Sequence, residues 1–228
     1  MQNSYKRIDA HLSTLGYCTR SEAKRFMKIY ELYVKEDRVF DPSIKAYHSD
    51  IKINDEPLDP ETITILLNKP SGFICSHNDA GSLIYSLIPQ RWNRRNPKIS
   101  TIGRLDVDTT GAIILTDDGA LNHKLSSPKS DVSKVYEATL AVPLKGDEKE
   151  IFASGELMLN GEKKPLLPAK LEVLGETHVR LEICEGKYHQ VKRMFAAVGN
   201  RVLTLHRVSF GGFTVEDLKE GEYKFIEL

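Results

Sequence analysis

Apolar positions along the chain switch between helical and strand periods, and the switches outline its elements. Ile8, Leu12 and Leu15 recur at helical spacing until Gly16 ends the run. Thr19-Arg20-Ser21-Glu22 has the form of a capping box opening a second helix that buries Ala23, Phe26, Met27 and Tyr30. Residues 32–39 and 51–58 alternate as short strands do. Residues 62–67 are β-branched and apolar, which predicts a buried strand; 68–72 form a turn by composition, and 73–75 begin another strand. Residues 112–115 predict a strand closed by the turn at Asp118-Gly119. Further on, the pattern predicts helices over 120–125, 147–153 and 188–198. It predicts strands over 134–142, 169–174, 178–184, 202–205 and 223–226. In the last helix Val191, Met194, Phe195 and Val198 form the buried stripe, with His189, Lys192 and Arg193 off it. Helices and strands mix without strict alternation and without repeats, an α+β pattern.

Length adds a domain count. A chain of 228 residues suits a small domain plus a larger one, and Asp59-Pro60-Glu61 reads as a linker. The expected domains are therefore 1–58 and 59–228. No apolar run reaches the length of a membrane span, and residues 1–15 lack the apolar centre of a secretion signal. Cys18, Cys75 and Cys184 are odd in number and lack metal-ligand spacing. They read as reduced thiols of a cytoplasmic protein with no metal site.

Net charge is zero, yet the charges are segregated. Residues 4–28 hold six basic side chains against Asp9 and Glu22, while 86–104 and 187–207 each hold five and no acid. Such segments attract phosphate locally whatever the total. Arg20, Lys24 and Lys28, four apart, would share one helix face, which suits an RNA backbone or merely solvent. Trp92, in the basic stretch 89–98, reads either as a hydrophobic anchor or as a platform for an unpaired base.

Candidate chemistry concentrates in Gly103-Arg104-Leu105-Asp106-Val107-Asp108-Thr109-Thr110-Gly111. Glycines permit tight turns, Arg104 is a permanent cation suited to phosphate, and an exposed aspartate can stay ionised as a nucleophile must. Alone, the same residues also describe a loop with Asp108 or Thr109 as a helix cap. Later blocks Lys134-Val135-Tyr136-Glu137-Ala138 and Glu185-Gly186-Lys187-Tyr188-His189-Gln190-Val191-Lys192-Arg193-Met194-Phe195 follow in order. Together the three blocks closely resemble the RsuA family of ribosomal RNA pseudouridine synthases, over nearly the whole chain. Residues 1–58 resemble the small RNA-binding domain first described in the fourth protein of the small ribosomal subunit. The match lies in Arg7-Ile8-Asp9, Leu12, Gly16, Thr19-Arg20-Ser21-Glu22-Ala23 and Asp50-Ile51-Lys52-Ile53. Tyr30 to Asp37 departs from it by lacking the usual hairpin glycine.

The resemblance implies a catalytic domain with a mixed, largely antiparallel sheet around a cleft. It implies Asp106 as the catalytic aspartate, Tyr136 stacked on a flipped uracil, and Lys192 pairing with Asp106, with Arg193 the competing cation. Arg104 would hold RNA, joined by Arg7, Arg20, Lys24, Arg193 and His189, the last with Gln190 in a supporting position. The implied protein is a cofactor-free, monomeric isomerase of one uridine in 16S ribosomal RNA within an assembling small subunit. A 23S enzyme and a catalytically silent ribosome-assembly factor are the alternatives. A glycosidase would need a second carboxylate, for which Asp108 is the candidate.

Overall fold

Helical spacing near the N-terminus becomes two short helices in the computed structural model, which describes residues 3–127 and 130–227. The chain divides into two units. The first gathers Met1–Thr64, Ile88–Ser100 and Thr116–Gly119; the second gathers Ile65–Leu87, Thr101–Leu115 and Ala120–Leu228.

In the first unit β1 (Tyr5–Arg7) leads into α1 (Ile8–Thr14) and α2 (Ala23–Ile29). There follow β2 (Leu32–Val34), β3 (Asp37–Arg38), β4 (Lys45–Tyr47), β5 (Ile51–Ile53) and β6 (Glu56–Pro57). Ile8, Leu12, Leu15, Ala23 and Met27 pack with Leu32, Ile51, Ile53 and Leu58 in one core. Removing such surface from water supplies the favourable term that lets helices this short persist. The Glu22 carboxylate accepts from the Thr19 amide at 3.0 Å and the Thr19 hydroxyl at 2.6 Å. This fastening holds 19–22 as a turn and the helix begins at Ala23, so Arg20 precedes the helical face that carries Lys24 and Lys28. The β2–β3 hairpin manages without glycine because Lys35 itself adopts φ +58°.

The basic stretch 86–104 differs most from the expectation of a free RNA-facing loop. Trp92 is buried, its indole donating to Asp59 Oδ2 at 2.9 Å, which makes it the anchor rather than a base platform. Arg91 pairs with the same carboxylate and lies 4.2 Å from the Tyr17 ring centroid. Arg95, fully enclosed, donates to Asp117 at 2.7 Å and to the Pro60 and Glu61 carbonyls at 2.8 Å. Two of the five cations, Arg91 and Arg95, are thus partners of the segment expected to be a linker and of Asp117. Arg94 and Lys98 stay exposed.

The second unit is built on β7 (Thr64–Lys69), β8 (Ser100–Ile102), β9 (Thr110–Thr116), α3 (Gly119–Ser126) and β10 (Lys134–Leu140). It continues with α4 (Glu148–Ala153), β11 (Lys170–Val173), β12 (His178–Ile183), α5 (Gln190–Ala197), β13 (Val202–Phe210), β14 (Phe213–Thr214) and β15 (Tyr223–Phe225). The strand order is β11-β12-β10-β13-β9-β7-β15, with β8 beside β9 and β14 beside β13. Pairing is antiparallel at β11–β12, β12–β10, β10–β13 and β15–β7 and parallel at β13–β9, a mixed and largely antiparallel sheet. Alternation along β10 turns Tyr136, Ala138 and Leu140 inward and leaves Glu137 on the other face, where it meets Arg180 of β12 at 2.7 Å. The strand expected at 73–75 reduces to a single bridge from Ile74 to Leu83. Strand β13 runs past the expected end at 205 because Arg207, buried within it, interrupts the apolar pattern by which a strand is recognised.

Gly111 makes the β9–β13 register possible. It lies opposite Arg207 with φ +103°, and a Cβ there would sit 2.2 Å from the Arg207 carbonyl oxygen. Gly111→Ala is expected to cost at least about 2 kcal/mol, from strained φ and backbone overlap together. Gly119→Ala, where a Cβ meets nothing within 4 Å, should shift stability by less than about 1 kcal/mol. Denaturant titration of both variants checks this, and similar midpoints would refute the close-approach argument.

Candidate active site

The site grows from the loop between β8 and β9. Gly103, with φ +70°, turns the chain out of β8; Arg104 is exposed, Leu105 buried and Asp106 partly exposed. Leu105 thereby anchors the loop while its neighbours on either side face outward. The Thr109 amide donates to the Asp106 carbonyl at 3.1 Å, closing a turn over 106–109.

Beneath this turn lies Lys69, the last residue of β7, which sequence reading took for part of a turn. Its ammonium is fully enclosed. It donates to the carbonyls of Thr109 at 2.8 Å, Asp106 at 3.1 Å, Pro70 at 3.1 Å and Val107 at 3.3 Å. An ammonium has three protons for these four acceptors, so they share it. Burial pushes Lys69 below the ordinary lysine value, partly countered by the nearby carboxylates of Asp108 and Asp106. The Gly72 amide adds a bond to Val107 O at 2.8 Å.

Above the turn stands the start of α5. The Gln190 side chain accepts the Lys187 amide at 2.8 Å and donates to Glu185 Oε1 at 3.0 Å, fixing the approach to the helix. His189 takes a left-handed conformation at φ +47°, and its Nε2 reaches Asp106 Oδ1 at 3.2 Å. Lys192 Nζ donates to Asp106 Oδ2 at 3.1 Å. It also donates to both oxygens of Asp108, at 2.7 and 3.0 Å. Both Asp106 oxygens are therefore engaged, by groups three residues apart on one helix turn. The Lys192 hydrogen bond holds Asp108 below the usual carboxylate range. Burial opposes the charge on Lys192, but its bonds to Asp108 and Asp106 outweigh that and raise it. The signs match: the Asp108 contribution is lost only as pH falls through its depressed value, and that of Lys192 only as pH rises through its raised one.

The remaining expected residues distribute differently. Arg193, the competing cation, turns away because adjacent helix positions point about 100° apart. It donates to Glu162 Oε1 at 3.1 Å, Tyr188 O at 3.0 Å and Asn160 O at 2.6 Å, so it braces the 160–162 segment rather than Asp106. Tyr136, almost buried, receives a 3.4 Å hydrogen bond from Arg207, whose Nε donates to Ala112 O at 2.6 Å. Arg7 and Arg20 both lie near Asp9, at 2.7 and 3.6 Å, while Lys24 is exposed. Among the described residues no group of three or more His, Cys, Asp or Glu side chains is placed to hold a metal ion.

Residues 63–197, which contain this entire cluster, match the family model described as RNA pseudouridylate synthase. The chain belongs to that family. A ribosomal small subunit pseudouridine synthase A of Haemophilus influenzae is 41% identical over 223 residues, covering 96% of this chain and 94% of the relative. Its namesake from Escherichia coli K12 is 48% identical over 163 residues, covering 70% and 68%. A pseudouridylate synthase known from its crystal structure superposes with TM-score 0.68 at 40% identity, covering 97% and 96%. The chain is thus a pseudouridine synthase, and the Lys69 anchorage is part of how this synthase shapes its loop.

Lys69→Met removes the ammonium from all four carbonyls: Asp106 O keeps the Thr109 amide and Val107 O the Gly72 amide, while the Pro70 and Thr109 carbonyls lose their bond to it. We expect a stability loss of about 2–4 kcal/mol from unsatisfied acceptors. Turnover of the folded fraction should fall about a hundredfold, the scale set by misplacing a reacting group by an ångström. Denaturation midpoints and single-turnover rates measure these separately; a variant with native turnover would show that Asp106 needs no support from below.

Proposed function

We propose that this synthase isomerises one uridine of small-subunit (16S) ribosomal RNA, with the Asp106 carboxylate starting the reaction. The observation that carries the reading is a carboxylate held on both oxygens, by His189 at 3.2 Å and Lys192 at 3.1 Å, on a loop open to solvent. In the reaction the bond from the ribose carbon to the uracil nitrogen breaks and the base turns. Uracil carbon 5 then bonds the same ribose carbon, its proton passes to solvent, and the freed nitrogen takes a proton back. Asp106 acts either on the ribose carbon as nucleophile or on a ribose proton as base. Tyr136 offers its ring to the extruded uracil, and Arg104 offers an exposed guanidinium to the phosphates beside it.

The small-subunit target rests on the names of the relatives that resemble nearly the full chain. These names favour 16S over 23S RNA. Residues 1–58 serve as a second RNA-holding domain, using exposed Lys24 with Arg7 and Arg20; each of those pairs with Asp9 at a site solvated enough to exchange it for phosphate. Residues 59–228 carry the chemistry. No helix among the described residues is long and apolar enough to cross a membrane. We read the protein as a cytoplasmic monomer that meets its RNA during subunit assembly.

Small-subunit RNA tritiated at uracil carbon 5 tests the reading directly. The wild-type chain should release tritium stoichiometrically with one uridine. Asp106→Asn should slow release by at least about a thousandfold with its fold and RNA affinity kept. Equal release by the two proteins would remove Asp106 from the mechanism. Binding without release from either subunit's RNA, naked or in particles, would instead favour the assembly-factor alternative.

A further inference from the structure

Resting on that reading, we infer that Tyr188 is a stacking platform for a base of the substrate RNA lying next to the extruded uridine. Tyr188 is a large aromatic residue with 76% of its surface exposed, beside the Asp106 cluster. One ring face lies against the His189 imidazole, with centroids 3.8 Å apart and planes within 20°. The same imidazole reaches Asp106 at 3.2 Å. Exposure of this extent with one face covered leaves the other face to solvent.

The backbone that carries the ring is held on several sides, and the ring itself by its stack on His189. The Tyr188 carbonyl accepts from Arg193 Nη1 at 3.0 Å, and Arg193 is in turn fixed to Glu162 at 3.1 Å and Asn160 at 2.6 Å. Gln190 binds the Lys187 amide on one side, and His189 on the other takes φ +47°, a strained conformation for a residue with a side chain. Without that left-handed step the imidazole would not lie under the phenol and against Asp106 at once. A cation lies on the same turn, Lys187, partly exposed and 3.7 Å from Glu162, close enough to the ring to meet a phosphate of a stacked nucleotide. A flat, pre-oriented ring whose orientation is already fixed loses little entropy when a base covers it. Stacking also accepts any base, so it suits a neighbour of the target whose identity is read elsewhere.

The probe is the small-subunit RNA transcript, with the full-length chain as wild type, Tyr188→Phe and Tyr188→Ala. Tyr188→Ala should weaken the dissociation constant and the half-saturating concentration for tritium release about tenfold, in the range typical of one base–aromatic stack. The maximal single-turnover rate should stay within about threefold, since the reacting carboxylate keeps His189 and Lys192. Tyr188→Phe should match wild type in both, because the ring face and not the hydroxyl makes the contact. Unchanged binding in Tyr188→Ala overturns the proposal, and so does a Phe variant as weak as Ala. Absence of tritium release from the wild type would refute the isomerase reading, while the binding measurement on the same transcript would still decide whether Tyr188 holds RNA.

Discussion

A single enclosed ammonium sets the geometry on which the rest of the second unit relies. Lys69 closes β7 and gathers carbonyls from Pro70 and from three residues of the 106–109 turn. Carbonyls facing inward oblige the loop to send its side chains outward, which is why Asp106 and Asp108 stand at the surface as a pair. Burial without a carboxylate partner costs the ammonium its hydration, and only several well-placed acceptors offset that. The arrangement therefore admits little slack: a loop that relaxed would strand the charge. The Asp106 carboxylate benefits from such support, since its position is fixed by the backbone before His189 or Lys192 touches it.

Charge is used in a second way in the first unit. Arg95 with Asp117, and Arg91 and Trp92 with Asp59, bind Ile88–Ser100 into the same unit as Met1–Thr64. Cations that look available in the sequence therefore already have acids. What remains exposed is a smaller set, Lys24, Arg94, Lys98 and Arg104 among them. Few free charges can attract a polyanion at long range but carry little specificity, which in a protein that reads RNA comes from shape and stacking.

The sequence made some of this legible and hid the rest for identifiable reasons. Periodicity located α1, α5, β10 and β12 closely because each has one buried face and one wet face. It missed the length of β13, where Arg207 occupies a buried position, and it invented a strand at 73–75 from three apolar residues that pair only through Ile74. The blocks holding Asp106 and Lys192, 86 positions apart, were linked by family resemblance and not by spacing. Lys69 left no trace: a lysine whose partners are carbonyls has no acid to betray it, and Asn-Lys-Pro-Ser-Gly looks like a turn. Counting basic residues overstated 86–104 by two, Arg91 and Arg95, because Asp59 and Asp117 lie outside the segment. Helix spacing put His189 off the buried stripe, but its contact with Asp106 also depends on a left-handed backbone just before α5, which spacing does not reveal.

The role of Asp108 follows from its competition with Asp106. Lys192 sits closer to Asp108, with both oxygens at 2.7 and 3.0 Å, than to Asp106 at 3.1 Å. A lysine bound to one aspartate alone would hold its charge tightly and leave a poor nucleophile or base. Division of the ammonium between two acids weakens its hold on each. The more exposed acid takes the larger share, with 65% of its side chain open against 27% for Asp106. Asp106 is left oriented on both oxygens but only partly neutralised. In the proposed reaction, whether as nucleophile or as base, such a carboxylate reacts without first breaking a full ion pair, and Lys192 keeps Asp108 as a partner while charge on Asp106 is consumed. This assigns Asp108 no part as the second carboxylate of a glycosidase: an acid catalyst must carry a proton near neutral pH, and the lysine holds Asp108 well below that.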